Sequence, residues 1–273
     1  MAKGKDLFDA GRLEDAIEAV SQDVKSRPSE MQSRIFLFEL LCFAGDFDRA
    51  ERQLDVIGHQ SAQADLGVQV YRNNLTAERD RLRLFADGLA PHFLTDPPAY
   101  VDLLLNAINR LRESNYEEAR RLLDQAEEER PALTGVLNER QFLDFREYDD
   151  LIGSVLELIV HDKYTWLPFE QIKRMEISAP KQLRDLMWAP ARIEGMDGTV
   201  GEVFIPSLYV RSFQHPNDQV KLGRMTDWTQ VAEQLYFASG LRLFMVDGED
   251  RAMLETRSVK FQAVAAETRA APS

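Results

Sequence analysis

Ala44-Gly45-Asp46-Phe47-Asp48-Arg49-Ala50 is the stretch that decides how this chain folds, because two variants of it stand elsewhere in the sequence. Ala10-Gly11-Arg12-Leu13-Glu14-Asp15-Ala16 lies 34 residues upstream, a spacing counted between the two glycines. Glu113-Ser114-Asn115-Tyr116-Glu117-Glu118-Ala119 lies 69 residues downstream, one more than two such periods. Prolines keep step with the pattern. Gly11 to Pro28 and Ser114 to Pro131 both span 17 residues, so each of these copies has a helix stop at the same offset.

A period of about 34 residues is that of the tetratricopeptide repeat, a helical hairpin that stacks on its neighbours because it cannot bury its apolar face alone. In each copy a small residue ends one helix, and acidic residues follow at the positive N-terminal end of the next. Apolar positions then recur with helical period: Leu13, Ala16, Ile17, Val20, Val24; Phe47, Ala50, Leu54, Ile57; Tyr116, Ala119, Leu122, Leu123, Ala126. Ala16, Ala50 and Ala119 share one register, where a small side chain lets paired helices approach closely.

Working outward, Ile35 to Phe43 is apolar on nearly every side, which predicts a helix covered by both neighbours, with Arg34 and Glu39 as polar exceptions. Gly67 to Phe85 reads as one long helix without a break, a degenerate repeat or an insertion. In it Arg79, Arg81 and Arg83 are expected to form a wet face. Ala86 to Ala99, with its glycine and prolines, is expected as a loop, with Asp96 capping the helix Tyr100 to Leu111.

Beyond Gly135 the pattern changes. A short strand is expected through Phe142, Phe145 and Tyr148, a helix over Leu151 to Val160, and strands at Tyr164 to Pro168 and Ile172 to Ile177. Met187 to Glu194 and Thr199 to Ile205 flank the turn Met196-Asp197-Gly198. Leu241 to Val246 and Ala252 to Arg257 flank Asp247-Gly248-Glu249-Asp250. The expected architecture is multidomain: tetratricopeptide-like helical repeats over 1–135, an α+β domain with mostly antiparallel strands over 136–262, and a disordered tail over 263–273.

Composition limits the functions available. With 33 basic and 46 acidic side chains the net charge of −13 repels phosphate backbones and anionic membranes, which argues against nucleic-acid binding. Neither a signal-peptide pattern nor an apolar run of membrane-spanning length occurs, so no membrane insertion and a cytoplasmic address are expected. The single cysteine, Cys42, sits among apolar residues and reads as an inert core thiol. His59, His92, His161 and His215 are scattered without ligand spacing, and no phosphate-binding or nucleophile motif is present, so no catalytic, cofactor or metal site is expected. His161 is read as ending a helix. Asp149 and Asp150 are adjacent and point apart in regular structure, which suits capping better than paired acid/base work. Trp166, Trp188 and Trp228 are read as core.

Phe36-Leu37-Phe38-Glu39-Leu40-Leu41-Cys42, the Gly45 repeat with Gln53-Leu54, and Tyr164, Trp166, Pro168, Phe169 and Ile172 resemble the ImpE/SciE family, also called TagJ. So do Leu183-Arg184-Asp185-Leu186-Met187-Trp188-Ala189-Pro190-Ala191 and Thr226-Asp227-Trp228, and the resemblance runs from about residue 5 to about residue 260. Glu39 and Phe47 depart from the family pattern, where Gln and Trp are common. The resemblance implies a non-enzymatic accessory protein of bacterial type VI secretion. It would bind the amphipathic N-terminal helix of the sheath small subunit and link the sheath to its assembly or recycling machinery. Stacked helical pairs present a groove for such a helix. The polar residues expected to touch it are Arg34, Glu39, Tyr71, Arg72 and Asn73. The alternative is an enzyme in the α+β half, resting on convergence of Arg184, Asp185 and His161.

Overall fold

A computed structural model describes residues 2–59 and 62–263, with only the backbone of residues 62–64. The expected tail falls almost wholly on residues 264–273, which lie outside the described residues. The helical half contains α1 (Ala2–Asp9), α2 (Leu13–Ser26), α3 (Met31–Phe43), α4 (Phe47–Gly58), α5 (Ala62–Asp87), α6 (Tyr100–Arg112) and α7 (Tyr116–Glu129). Three of its bends are built alike. At Gly11, Gly45 and Ser114 the backbone is left-handed, with φ of 74°, 69° and 58°. The N–H of each donates three residues back, and the next N–H donates five residues back: Gly11 to Phe8 and Arg12 to Leu7, Gly45 to Cys42 and Asp46 to Leu41, Ser114 to Leu111 and Asn115 to Arg110. This pair of bonds satisfies the last carbonyls of the first helix and turns the chain. Asp46 and Asn115 then cap the second helix by accepting from the N–H groups of Arg49 and Glu118. Ala16, Ala50 and Ala119 are fully buried, as their shared register requires.

The sheet-rich half is mostly antiparallel. Its strands are β1 (His92–Phe93), β2 (Gly135–Leu137), β3 (Arg140–Phe142), β4 (Phe145–Glu147), β5 (Val155–Val160), β6 (Lys163–Pro168), β7 (Ile172–Ile177), β8 (Trp188–Gly195), β9 (Val200–Pro206), β10 (Thr226–Ala232), β11 (Leu235–Gly240), β12 (Leu243–Val246), β13 (Glu249–Ala252) and β14 (Ser258–Phe261). One sheet runs in the order β1-β6-β5-β9-β8-β7-β14-β2-β3, a second is β13-β12-β4, and β10-β11 form a ribbon. A short helix, α8 (Asp218–Lys221), precedes the ribbon.

The large sheet has two faces with different duties. Toward the helices, Val155, Ile159, Tyr164, Trp166 and Trp188 join a core with Leu37, Phe43, Leu75 and Leu104. Toward the small sheet, Leu156, Leu158 and Ile205 join a core centred on Phe145, whose ring lies 4.9 to 5.5 Å from those of Phe142, Phe169, Phe244 and Phe261.

Several expectations are corrected. Leu151 to Val160 is no helix but a 3₁₀ turn followed by β5, because a strand buried on both faces is apolar throughout and shows no period of two. His161 accordingly turns between β5 and β6 rather than ending a helix. Phe142 and Phe145 belong to separate strands in different sheets. The second hairpin turns on Asp247 and Gly248 alone, both with positive φ, so Glu249 and Asp250 are strand rather than loop. The expected loop before α6 contains β1, paired in parallel with β6. Asp96 does not cap α6: the cap position is Ala99, without a side-chain bond. Arg81 leaves the wet face and is 4% exposed.

Candidate interaction site

Two of the residues singled out on α3 and α5, Glu39 and Tyr71, meet the sheet-rich half through Arg184. A short 3₁₀ turn, Leu183–Leu186, is closed by Asp185, whose carboxylate accepts from the N–H groups of Lys181 (2.8 Å) and Gln182 (3.0 Å). That turn presents Arg184 to the helices. Its guanidinium lies 4.7 Å from the centre of the Tyr71 ring, Nε donates to the Tyr71 hydroxyl, and Nη1 donates to Glu39 at 3.1 Å. Burial lifts the Glu39 carboxyl above its usual range against the pull of Arg184. Beside them the Tyr71 ring lies 6.3 Å from Trp188, and Trp188 Nε1 donates to Glu78 at 3.0 Å. Glu39 and Tyr71 are thus brought together as a seat for the Leu183 to Ala191 block.

The other three residues stay nearer solvent. Arg34 donates to the Pro28 carbonyl and to Gln53; Arg72 pairs with Asp55 at 2.8 Å and with Asp65 at 3.7 Å; Asn73 accepts from Gln69. Leu66 and Val70, 74% and 39% exposed, share a stripe of α5 with Asn73 at spacings of four and three.

Behind Glu78 runs a buried chain of charges that residue patterns alone had not revealed. Arg81 grips Glu157 with two bonds of 2.8 Å and also donates to the Leu208 carbonyl. Arg242 lies 3.1 Å from Glu157 and donates to Glu147, which also accepts from Tyr209. Arg242, Glu147 and Glu157 are fully buried. Burial opposes ionisation of Glu157, but Arg81 and Arg242 outweigh it and hold its carboxyl below the usual range. At Glu147 burial wins and the carboxyl moves up. A signal for this network was present: one glutamate inside the apolar run Val155 to Val160 requires a buried cation.

The enzyme alternative rested on Arg184, Asp185 and His161. Arg184 is spent on Tyr71 and Glu39, Asp185 on its own turn, and His161 lines a groove with Leu158, Met196 and Val203. Cys42 is buried, which raises its thiol pKa well above the ordinary value. Trp166 and Trp188 are core, and Trp228 is half-buried against Tyr148 and Tyr209. Among the described residues no group of three His, Cys, Asp or Glu is placed to hold a metal, and no helix is long and apolar enough to cross a membrane.

The pattern of the ImpE protein family matches residues 139–260. The type VI secretion system accessory component TagJ of Pseudomonas aeruginosa is 35% identical over 258 residues, covering 94% of this chain and 90% of that protein. The chain belongs to the ImpE family. The ImpE match begins within the β2-β3 turn, whereas the TagJ alignment extends over the helices as well. The crystal structure of protein VPA1032 from Vibrio parahaemolyticus superposes on this ImpE-family chain with a TM-score of 0.89 at 26% identity, covering 97% of this chain and 99% of the other. The seat formed by Glu39, Tyr71 and Arg184 therefore belongs to a fold also seen in a crystal.

Proposed function

We propose that this protein is a non-catalytic, cytoplasmic adaptor of a type VI secretion system, and that its helical half binds an amphipathic helix at the N-terminus of the sheath small subunit. The P. aeruginosa relative, named a type VI secretion accessory component, supports the system. We read the three like-built hairpins as tetratricopeptide-like repeats, with residues 1–135 as the interaction module and 136–262 as the unit that braces it.

The observation that carries the partner class is the exposed stripe of α5. Leu66 and Val70 offer the apolar anchors a helix needs, with Arg72 and Asn73 beside them for polar contacts. Arg34 extends the polar rim from α3. Glu39 and Tyr71 act through Arg184, which fixes α3 and α5 relative to each other. The test is fluorescence anisotropy with a labelled peptide of the sheath small subunit's N-terminal helix. Micromolar binding is expected, weakened about tenfold or more by Leu66→Asp and Val70→Asp. Folded protein that binds no peptide at about 500 μM refutes the proposal.

A further inference from the structure

A cavity of about 370 Å³ lies where the ends of α5 and α6 meet the β10-β11 ribbon, far from the α5 stripe in sequence and lined by different residues. Its walls are apolar over Phe85, Ile108, Leu111, Leu151 and Phe237. Polar residues also line it, Arg112, Arg211, Gln214, His215, Thr229 and Ser239, and Asp149 is the carboxylate among them. This residue is 6% exposed, and its carboxylate accepts from the Leu151 N–H at 3.0 Å. No cation pairs with it among the described residues. Its neighbour Asp150 takes both nearby arginines, Arg120 at 2.7 Å and Arg146 at 2.5 Å.

A buried carboxylate is normally paired, because leaving one alone costs several kcal/mol. The turn it caps does not explain the charge, since an asparagine would accept from Leu151 equally well. Glu147, Asp150 and Glu157 add negative potential from the sheet side. Of the cations that also line the cavity, Arg112 donates to Ala86 and Asn109 and His215 meets Asp227, while Arg211 makes no ion pair among the described residues. The volume lies within the range of small-ligand sites, and a net charge of −13 concentrates cations near the surface.

We propose that this cavity binds an alkylammonium or guanidinium group on an apolar stem, with Asp149 as counter-ion and the Phe85, Leu111 and Phe237 walls around the stem. The group comes either from a free amine or from a basic side chain of a bound protein.

Calorimetric titration of the full chain at about pH 8, where the carboxylate is ionised, compares n-pentylamine, pentan-1-ol, pentanoate and N-acetyl-lysine methylamide. Saturable n-pentylamine binding is expected, about tenfold or more tighter than pentan-1-ol, with none for pentanoate. Asp149→Asn abolishes the preference for amine over alcohol. Thr229→Trp, at the exposed lip, blocks amine and alcohol alike while leaving Asp149 untouched, and it carries the test if the first variant does not fold. Lysine methylamide matching n-pentylamine points to a peptide-borne side chain; n-pentylamine alone points to a free amine. No saturable binding at about 10 mM, equal affinity for amine and alcohol, or undiminished binding in Thr229→Trp overturns the proposal.

Discussion

Asp149→Asn should make this protein more resistant to unfolding at alkaline pH than at acid pH relative to its parent. Burial pushes the Asp149 carboxyl from 3.8 up to about 7, with Glu147, Asp150 and Glu157 adding to the effect and the Leu151 N–H opposing it. The folded value lies above the unfolded one, so the folded state holds its proton longer. The stability this provides is complete below about pH 4 and is lost as pH rises through about 7. At 1.36 kcal/mol per pH unit, the ionised carboxylate costs about 4 kcal/mol above pH 8, whereas at pH 5, where only the unfolded chain's carboxyl is ionised, the loss is about 2 kcal/mol. Asparagine keeps the acceptor for Leu151 and cannot ionise. The stability difference between variant and parent, measured by urea unfolding, should therefore grow by about 2 to 3 kcal/mol in the variant's favour from pH 5 to pH 8. Every other titrating group is shared by the two proteins and cancels to first order. A difference that stays constant across this range would mean that the carboxylate is hydrated, and the desolvation argument would fail.

Arg81→Ala should cost about 3 to 5 kcal/mol in urea unfolding, because it leaves Glu157 in a fully buried site with Arg242 as its cation and the Tyr164 hydroxyl as its other donor. Arg184→Ala removes the ring stack and the bond to Glu39, and should cost about 2 kcal/mol and shift the fluorescence of Trp188, whose ring packs on Tyr71. Gly45→Ala should destabilise by about 2 kcal/mol or more, since the backbone is left-handed and the added carbon would meet the Phe213 ring at 2.4 Å. Ser114→Gly should instead stabilise by about 0.5 kcal/mol, because this left-handed bend has a side chain to shed.

The helical half was legible because its signals are local. Glycine or serine at the bend, an apolar stripe of helical period and a proline at the stop are each fixed by neighbours in sequence, and α2, α3, α4, α6 and α7 fall where those signals lie. The strands of the two-sided sheet were harder. β7 was placed to the residue, its Ile172, Met175 and Ile177 buried across a register shift, but β5 is covered on both faces and its apolar run carried no sign of which secondary structure it forms. The charged network was hidden for another reason. Arg81 stands two residues from both Arg79 and Arg83, which turns it to the opposite side of α5, but the partner that holds it there stands 76 residues away. Glu39 and Tyr71 stood out as polar or aromatic on their helices, yet their seat depends on a turn more than 110 residues downstream.

The bends themselves show why two of the three carry glycine. A left-handed φ alone does not demand it, since Ser114 adopts the same conformation in the open. At Gly45 an added carbon would strike the Phe213 ring, and at Gly11 it would displace the end of the Gln219 side chain, both from the segment just before the β10-β11 ribbon. The same segment completes the first hairpin chemically: Asp218 accepts from the Leu13 N–H at 2.8 Å, and Arg224 donates to the carbonyls of Phe8 and Asp9 at the end of α1. Arg12, in the cap position of α2, makes no side-chain cap of its own. The glycines at the first two bends are therefore contact surfaces as much as turns, and the sheet-rich half supplies the caps that the first hairpin's own sequence omits. With Arg81 gripping Glu157, the sheet-rich half holds the helices at α5 as well as at the bend between α1 and α2.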